Sequence, residues 1–410
     1  MTRSTDKAPI ESQPPWDLIA LLALAFIVFG WMALAVSYNP SHGAQPAFER
    51  LHAVALHQFR TLPWERFLHE MHTTHGPAFY ALVGSLDLPA KGVRAVGLAM
   101  HLVSTLVLLQ AALQFGVTWW RAALLSAAFF ASPFQFGPAL WGHPETLATL
   151  LAVVALGAAV HPQGPSRRQR ALGAVLLPLT VLVHQAGAAL VAASCVDDLR
   201  ARRHGTLAIK LGMTVLLLCL LVRVWDGLTP PSAGQVLQWQ PRALLAALAL
   251  LVLGLHGLDR AGWAAGWGDR LRRFALLAPA VVLVYAVAPP FAGGGFVFSR
   301  LDALEAAWLP AGWGVPLASP LLIAAVLAWC WASLRRQPAA AAQIGICALV
   351  LGTGETLYLK DVDFFFWPLL LMRLVRRGRP APAAVRGLVG SAALWTGVCL
   401  TLATWSYRPF

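Results

Sequence analysis

Glu49 and His52 stand three positions apart in a segment where Phe48, Leu51, Ala55, Leu56 and Phe59 recur at helical spacing from Pro46 onward. This pattern predicts an amphipathic helix on a membrane surface, with Glu49 and His52 on one face. A carboxylate held there can act as a general base, taking a hydroxyl proton as that oxygen attacks a phosphate-linked carbon. A solvated helix face, with Arg50 next door, has the same pattern. His69, His72 and His75 follow at three-residue steps, which can gather imidazoles as ligands of a divalent metal. The break Thr73-Thr74-His75-Gly76-Pro77 interrupts the helix that such ligation needs, and favours interfacial histidines facing phosphate or substrate.

Further polar groups interrupt apolar stretches, where ionisable side chains are costly and therefore candidates for function. Glu145, with His143, lies in Trp141-Gly142-His143-Pro144-Glu145 at the start of an apolar run, where an acid is also a routine first-turn residue. His184 and Gln185 interrupt another run, either facing a polar cavity or satisfying backbone groups freed at a break. Lys360, with Glu355, Asp361 and Asp363, precedes Phe364-Phe365-Phe366-Trp367-Pro368. A cation there can hold a phosphate, although any outer membrane interface carries an aromatic belt with a charged rim. Arg223, Arg242 and Arg300 are candidates for lipid phosphate or plain headgroup anchors.

The elements that must position these residues follow from composition. Of 410 residues, 58% are hydrophobic and 12% charged, and the mean hydropathy is +0.64. A soluble globular chain carries about a quarter charged residues, so that class is excluded. Apolar runs of about 20 residues, the length that crosses hydrocarbon, recur throughout and predict an all-α polytopic membrane protein of about a dozen segments. The first run, Asp17 to Val36, reads as a retained span. The net charge of +13 resides in short basic clusters between runs, as in cytoplasmic loops, and does not point to nucleic acid.

Placing those clusters inside puts residues 37–93 outside, with half of the twelve histidines. Such a long connection is the expected functional region. The 14 or so apolar residues after Gly76 are too few to cross and should dip into the interface. The run from Ala171 to Ser194 has basic clusters at both ends and is broken at Pro178 and His184-Gln185, which predicts a half-depth hairpin with those two residues at its tip. The five cysteines show no metal-ligand spacing, and no internal repeat supports a repeat-built transporter.

Four stretches, in order, resemble the GT-C class of polyprenyl-phosphate-sugar-dependent glycosyltransferases, and most closely its dolichyl-phosphate-glucose-dependent α-1,2-glucosyltransferase family. That family's Asp-Glu-Ile-Phe-His and Thr-Thr-Pro-Pro-Gly-Leu-Tyr are similar to Glu49-Arg50-Leu51-His52 and Thr73-Thr74-His75-Gly76-Pro77-Ala78-Phe79-Tyr80. Tyr-Thr-Asp is similar to Gly142-His143-Pro144-Glu145 with a shifted acid, and Leu-Phe-Arg-Gln-Thr-Asn to Leu182-Val183-His184-Gln185-Ala186-Gly187. The late Leu-Leu-Glu-Phe-Arg-Tyr-Phe-Ile-x-Pro resembles Leu359 to Pro368. Two departures stand out: Phe48 replaces the family acid before Glu49, and Asp363 falls at the late arginine.

The resemblance implies a GT-C helical bundle with a catalytic module over 1–225 and a variable module over 226–410. It implies inverting transfer of a hexose, glucose in that family, from a polyprenyl-phosphate-sugar donor to a glycan or glycolipid acceptor. Glu49 and His52 would deprotonate the acceptor, and Lys360 or Arg300 would hold the donor phosphate. Glu145 and His143 would serve the acceptor or supply a second acid. Thr73, Thr74 and His75 form the loop motif, and His184 and Gln185 the polar cavity. No metal is required, although a divalent ion is compatible with the histidines. Alanine- and arginine-rich usage suggests a bacterial inner membrane with the site on the periplasmic side. Two rival functions are a transporter or flippase of lipid-linked sugars and a non-catalytic subunit of an envelope-assembly complex.

Overall fold

The computed structural model describes residues 48–71, 73, 75–158, 165–230, 238–256, 266–290, 297–308, 316–353, 359–376, 387–393, 395–397 and 399–400. The expected first span, His72 and Thr74 lie outside them, as does the side chain of Arg300.

Every regular element among the described residues is helical. A π-turn at Phe48–His52 leads into α1 (Ala53–Thr61), followed by α2 (Trp64–Glu70) and α3 (Ala78–Gly84). None of these three helices is long enough to cross a membrane, and Ala55, Leu56, Phe67, Phe79 and Tyr80 are turned inward. Arg60 ties α1 to the end of α3, donating from Nη2 to the Leu88 carbonyl at 2.9 Å.

The bundle proper comprises α4 (Ala90–Gln114), α5 (Trp119–Ala131), α6 (Pro133–Trp141), α7 (Pro144–Ala158), α8 (Arg167–Val183), α9 (Gly187–Arg200) and α10 (His204–Trp225). It continues with α11 (Pro241–His256), α12 (Trp267–Val287), α13 (Val297–Trp308), α14 (Ala318–Arg336), α15 (Pro338–Leu351) and α16 (Leu359–Arg376). Three of them, α4, α10 and α14, are long and apolar enough to cross a membrane. Helices α5 and α6 pass that test together as a pair bent by 57°. The bend falls at Ser132-Pro133, where proline opens α6 and cannot donate to the preceding turn. Shorter apolar helices α7, α11 and α15 fall below spanning length. Helix α10, at 22 residues, leaves Leu211, Val215, Leu216 and Leu220 exposed, as a helix bathed in lipid tails does.

Helix α16 forms the axis, packing against α6, α7, α9, α11 and α15. Its aromatic run Phe364 to Trp367 is almost fully buried, rather than forming an interfacial belt. The break between α8 and α9 falls at His184, Gln185 and Ala186, as expected. Pro178 is accommodated within α8 instead of ending it.

Two glycines bring the ends of these elements together. Gly76 donates its N–H to the Val183 carbonyl at 2.9 Å, and a Cβ there would stand 2.0 Å from the Leu182 carbonyl oxygen. The turn at His75-Gly76-Pro77 therefore closes onto the end of α8, which only a residue without a side chain allows. Gly142 ends α6 in the left-handed region at φ +68° and packs against Val93 of α4. The π-turn, the Gly76 turn, the α6–α7 turn, the α8–α9 break and the start of α16 thus meet at one end of the bundle.

Candidate functional site

The side chains that meet there are His52, Thr73, His75, Tyr80, His143, Glu145, His184 and Lys360. Glu145 sits in the first turn of α7, where unpaired backbone N–H groups favour a negative charge. It is 8% exposed and accepts from Lys360 Nζ at 2.9 Å through Oε1. The same oxygen lies 3.2 Å from His75 Nε2. Oε2 lies 3.7 Å from His143 Nδ1, longer than a hydrogen bond, and has no hydrogen-bond partner among the described residues. The Glu145 side chain is 11% exposed and the Lys360 side chain 36%, so the lysine is the more open member of the pair.

A chain of hydrogen bonds connects this carboxylate to His52. Tyr80 donates its hydroxyl proton to Thr73 Oγ1 at 3.1 Å, and its oxygen lies 2.7 Å from His52 Nδ1. The Tyr80 oxygen can then only accept from His52, which places the imidazole proton on Nδ1 and leaves the lone pair on Nε2. Thr73 Oγ1, 3.1 Å from His75 Nδ1, donates its own proton there. His75 Nε2–H is thereby directed at Glu145. One consistent assignment therefore runs from Tyr80 to Thr73 to His75 to Glu145, with His52 donating from Nδ1.

The imidazoles also pack edge to face. The His52 and His143 centroids are 4.4 Å apart, His52 and His75 5.2 Å, and His75 and His184 5.0 Å. His184 stacks on Phe364. Burial, with His143 and His75 alongside, pushes the His52 pKa well below its ordinary value, and burial raises that of the Tyr80 hydroxyl. His52 is therefore a neutral imidazole. One nitrogen from each of His52 and His143 and one oxygen of Glu145 lie within 4.8 Å of one another.

The sequence-expected residues separate into two groups. His52, Thr73, His75, His143, Glu145, His184 and Lys360 come together from five stretches of chain. Glu49 and His52 do not share a face: Glu49 is exposed while His52 is 1% exposed. The π-turn widens the helix at this point, so residues three apart no longer stack. His69 is exposed on α2, which ends at Glu70, and it is not a member of the cluster that holds His75. Gln185 lies beside His184, with a buried amide nitrogen that has no hydrogen-bond partner among the described residues. Tyr80 was not singled out from sequence, yet a lone hydroxyl in Ala78-Phe79-Tyr80-Ala81-Leu82 behind Thr73 was the available signal.

Asp363, expected on the charged rim, is instead fully buried beside Lys360 in sequence. It accepts from Ser132 Oγ at 3.1 Å, Gln135 Nε2 at 2.8 Å, Trp367 Nε1 at 3.1 Å and Trp395 Nε1 at 2.6 Å. Arg242, considered for lipid phosphate, is buried and donates to the Tyr285 carbonyl. Comparison of the chain with known family models, with curated proteins and with solved structures finds no match.

Proposed function

We propose that this chain is a membrane glycosyltransferase of the GT-C type, moving a hexose from a polyprenyl-phosphate-sugar donor to a glycan or glycolipid acceptor with inversion. The observation that supports it best is the convergence of His52, His75, Glu145 and Lys360 at one end of an apolar bundle, under the long connection of residues 48–89. A part-exposed lysine beside a buried carboxylate and imidazoles suits a substrate whose phosphate is anionic and whose tail lies in lipid. Counting the shorter helices, the chain would cross a bacterial inner membrane about a dozen times, with this end extracytoplasmic.

In the transfer, an acceptor hydroxyl oxygen attacks the anomeric carbon, the bond from that carbon to the phosphate oxygen breaks, and polyprenyl phosphate leaves. The hydroxyl proton passes to Glu49, which stands exposed on the same π-turn as His52 but on another face, at the rim of the cluster. Lys360 neutralises the departing phosphate. Glu145 positions Lys360, and the Tyr80-Thr73-His75 chain positions Glu145 and His52. A flippase, the principal rival, would need polar groups along a path through the bundle, with its site near the midplane, whereas this cluster is gathered at one end.

The test uses purified protein in detergent with radiolabelled polyprenyl-phosphate sugars and a lipid-extract acceptor. Wild type should transfer label, Glu49→Gln should lose about 10²-fold or more in kcat, and Lys360→Ala should raise KM for the donor. Donor binding without transfer by wild type would refute the reading.

A further inference from the structure

We infer that His52, His143 and Glu145 form a binding site for one divalent transition metal, zinc by preference, with its fourth position open to an anionic oxygen. The inference deepens the proposed function and rests on it only for the identity of that oxygen, the donor's phosphate.

The donor set is two imidazoles and a carboxylate, all buried, with ligand atoms within 4.8 Å of one another. Three protein ligands with one open position is the arrangement of catalytic rather than structural zinc. Tetrahedral bonds of about 2.0–2.1 Å place ligand atoms about 3.3 Å apart, so an inward movement of roughly an ångström completes the site. The lone pairs are already arranged. Tyr80 Oη accepts a hydrogen bond from His52 Nδ1–H in the assignment above, which leaves the Nε2 lone pair for a metal. Glu145 engages Lys360 and His75 through Oε1, while Oε2 is buried with no hydrogen-bond partner among the described residues.

Tyr80 behind His52 and His75 behind Glu145 are the outer partners that metal ligands ordinarily have, orienting a ring and a carboxylate. Charge then selects the fourth ligand. A divalent ion and the Lys360 ammonium against one carboxylate leave a local charge of +2; the donor's monoanionic phosphodiester offsets half of it and the departing polyprenyl phosphate, a dianion, offsets all of it, whereas a neutral hydroxyl offsets none. The spacing of His69, His72 and His75 could gather ligands only on a continuous helix, which the break at residues 73–77 argues against; the trio inferred here is a different one, drawn from two turns.

The protein is stripped with chelator, re-equilibrated with buffered zinc and analysed by elemental mass spectrometry, with wild type beside His143→Gln and Glu145→Gln. About one zinc per wild-type chain is expected, with at least tenfold weaker binding in each variant at unchanged elution volume and helicity. If a variant fails to fold, the wild type decides: cobalt loading should give visible ligand-field bands without a thiolate charge-transfer band, and inorganic phosphate should shift them. Wild type that takes up neither metal at micromolar free concentration, or variants that bind as wild type does, would overturn the site. The two proposals fail separately. Metal-free protein that transfers sugar fully would leave the glycosyltransferase and remove the metal, whereas zinc-loaded protein inert to every donor would do the reverse.

Discussion

Glu145 and Asp363 are both carboxylates buried at the junction of α6, α7 and α16, yet they are held in opposite ways. Asp363 receives four hydrogen bonds from neutral donors on three parts of the chain. Glu145 faces a cation and two imidazoles, with one oxygen lacking a hydrogen-bond partner among the described residues. Neutral donors that saturate a carboxylate make a joint between helices. Charged and titratable partners that leave capacity unused make a place for something else to bind. Three residues apart on α16, Lys360 serves the second arrangement and Asp363 the first.

The sharpest way to break this contrast is to remove Asp363. Asp363→Ala strands the donors of Ser132, Gln135, Trp367 and Trp395 in a dry interior, which should cost about 3 kcal/mol or more. A large fall in melting temperature or in folded yield is expected in fluorescence-detected size exclusion. A variant melting as wild type would show that the joint is dispensable. Gly142→Ala should come next, because its φ of +68° and a Cβ 2.6 Å from Val93 Cγ1 strain the turn that carries His143 and Glu145. A loss of about 1–3 kcal/mol is expected, together with reduced transfer.

Lys360→Ala should separate function from stability. With 36% of the side chain exposed, solvent screening limits its stabilising effect to less than about 1 kcal/mol, while transfer should fall by about 10²-fold, mostly through KM for the donor. Tyr80→Phe is the mildest test. It keeps the buried ring and removes the hydroxyl that sets the His52 tautomer, so a loss of about 1 kcal/mol and a several-fold fall in kcat are expected. Histidine nitrogen NMR should show the His52 proton redistributed between Nδ1 and Nε2; an unchanged tautomer would remove Tyr80 from the relay.

Much of this was legible in the residues. The connection of residues 37–93, the interruptions at His143 to Glu145 and at His184-Gln185, and the charge at Lys360 stood out because polar groups are expensive among apolar runs. What the sequence hid was geometry finer than a helical repeat. The π-turn at Phe48–His52, which divides Glu49 from His52, leaves no mark in a pattern of period 3.6. Asp363 looked like a rim residue because its donors lie more than two hundred positions away at Ser132 and Gln135, as well as at Trp395. Pro178 reads as a breaker in the sequence, whereas a helix packed among neighbours can retain it, as α8 does.

The central claim, that Glu145 belongs to a substrate site and Asp363 to the scaffold, is tested most directly by one paired measurement. Glu145→Gln and Asp363→Asn are assayed side by side for melting temperature and for transfer from the labelled polyprenyl-phosphate-sugar donors. Glu145→Gln should melt within a few degrees of wild type and lose transfer by about 10²-fold, while Asp363→Asn should melt well below wild type and retain transfer in proportion to its folded fraction. Wild-type transfer by Glu145→Gln would contradict the claim.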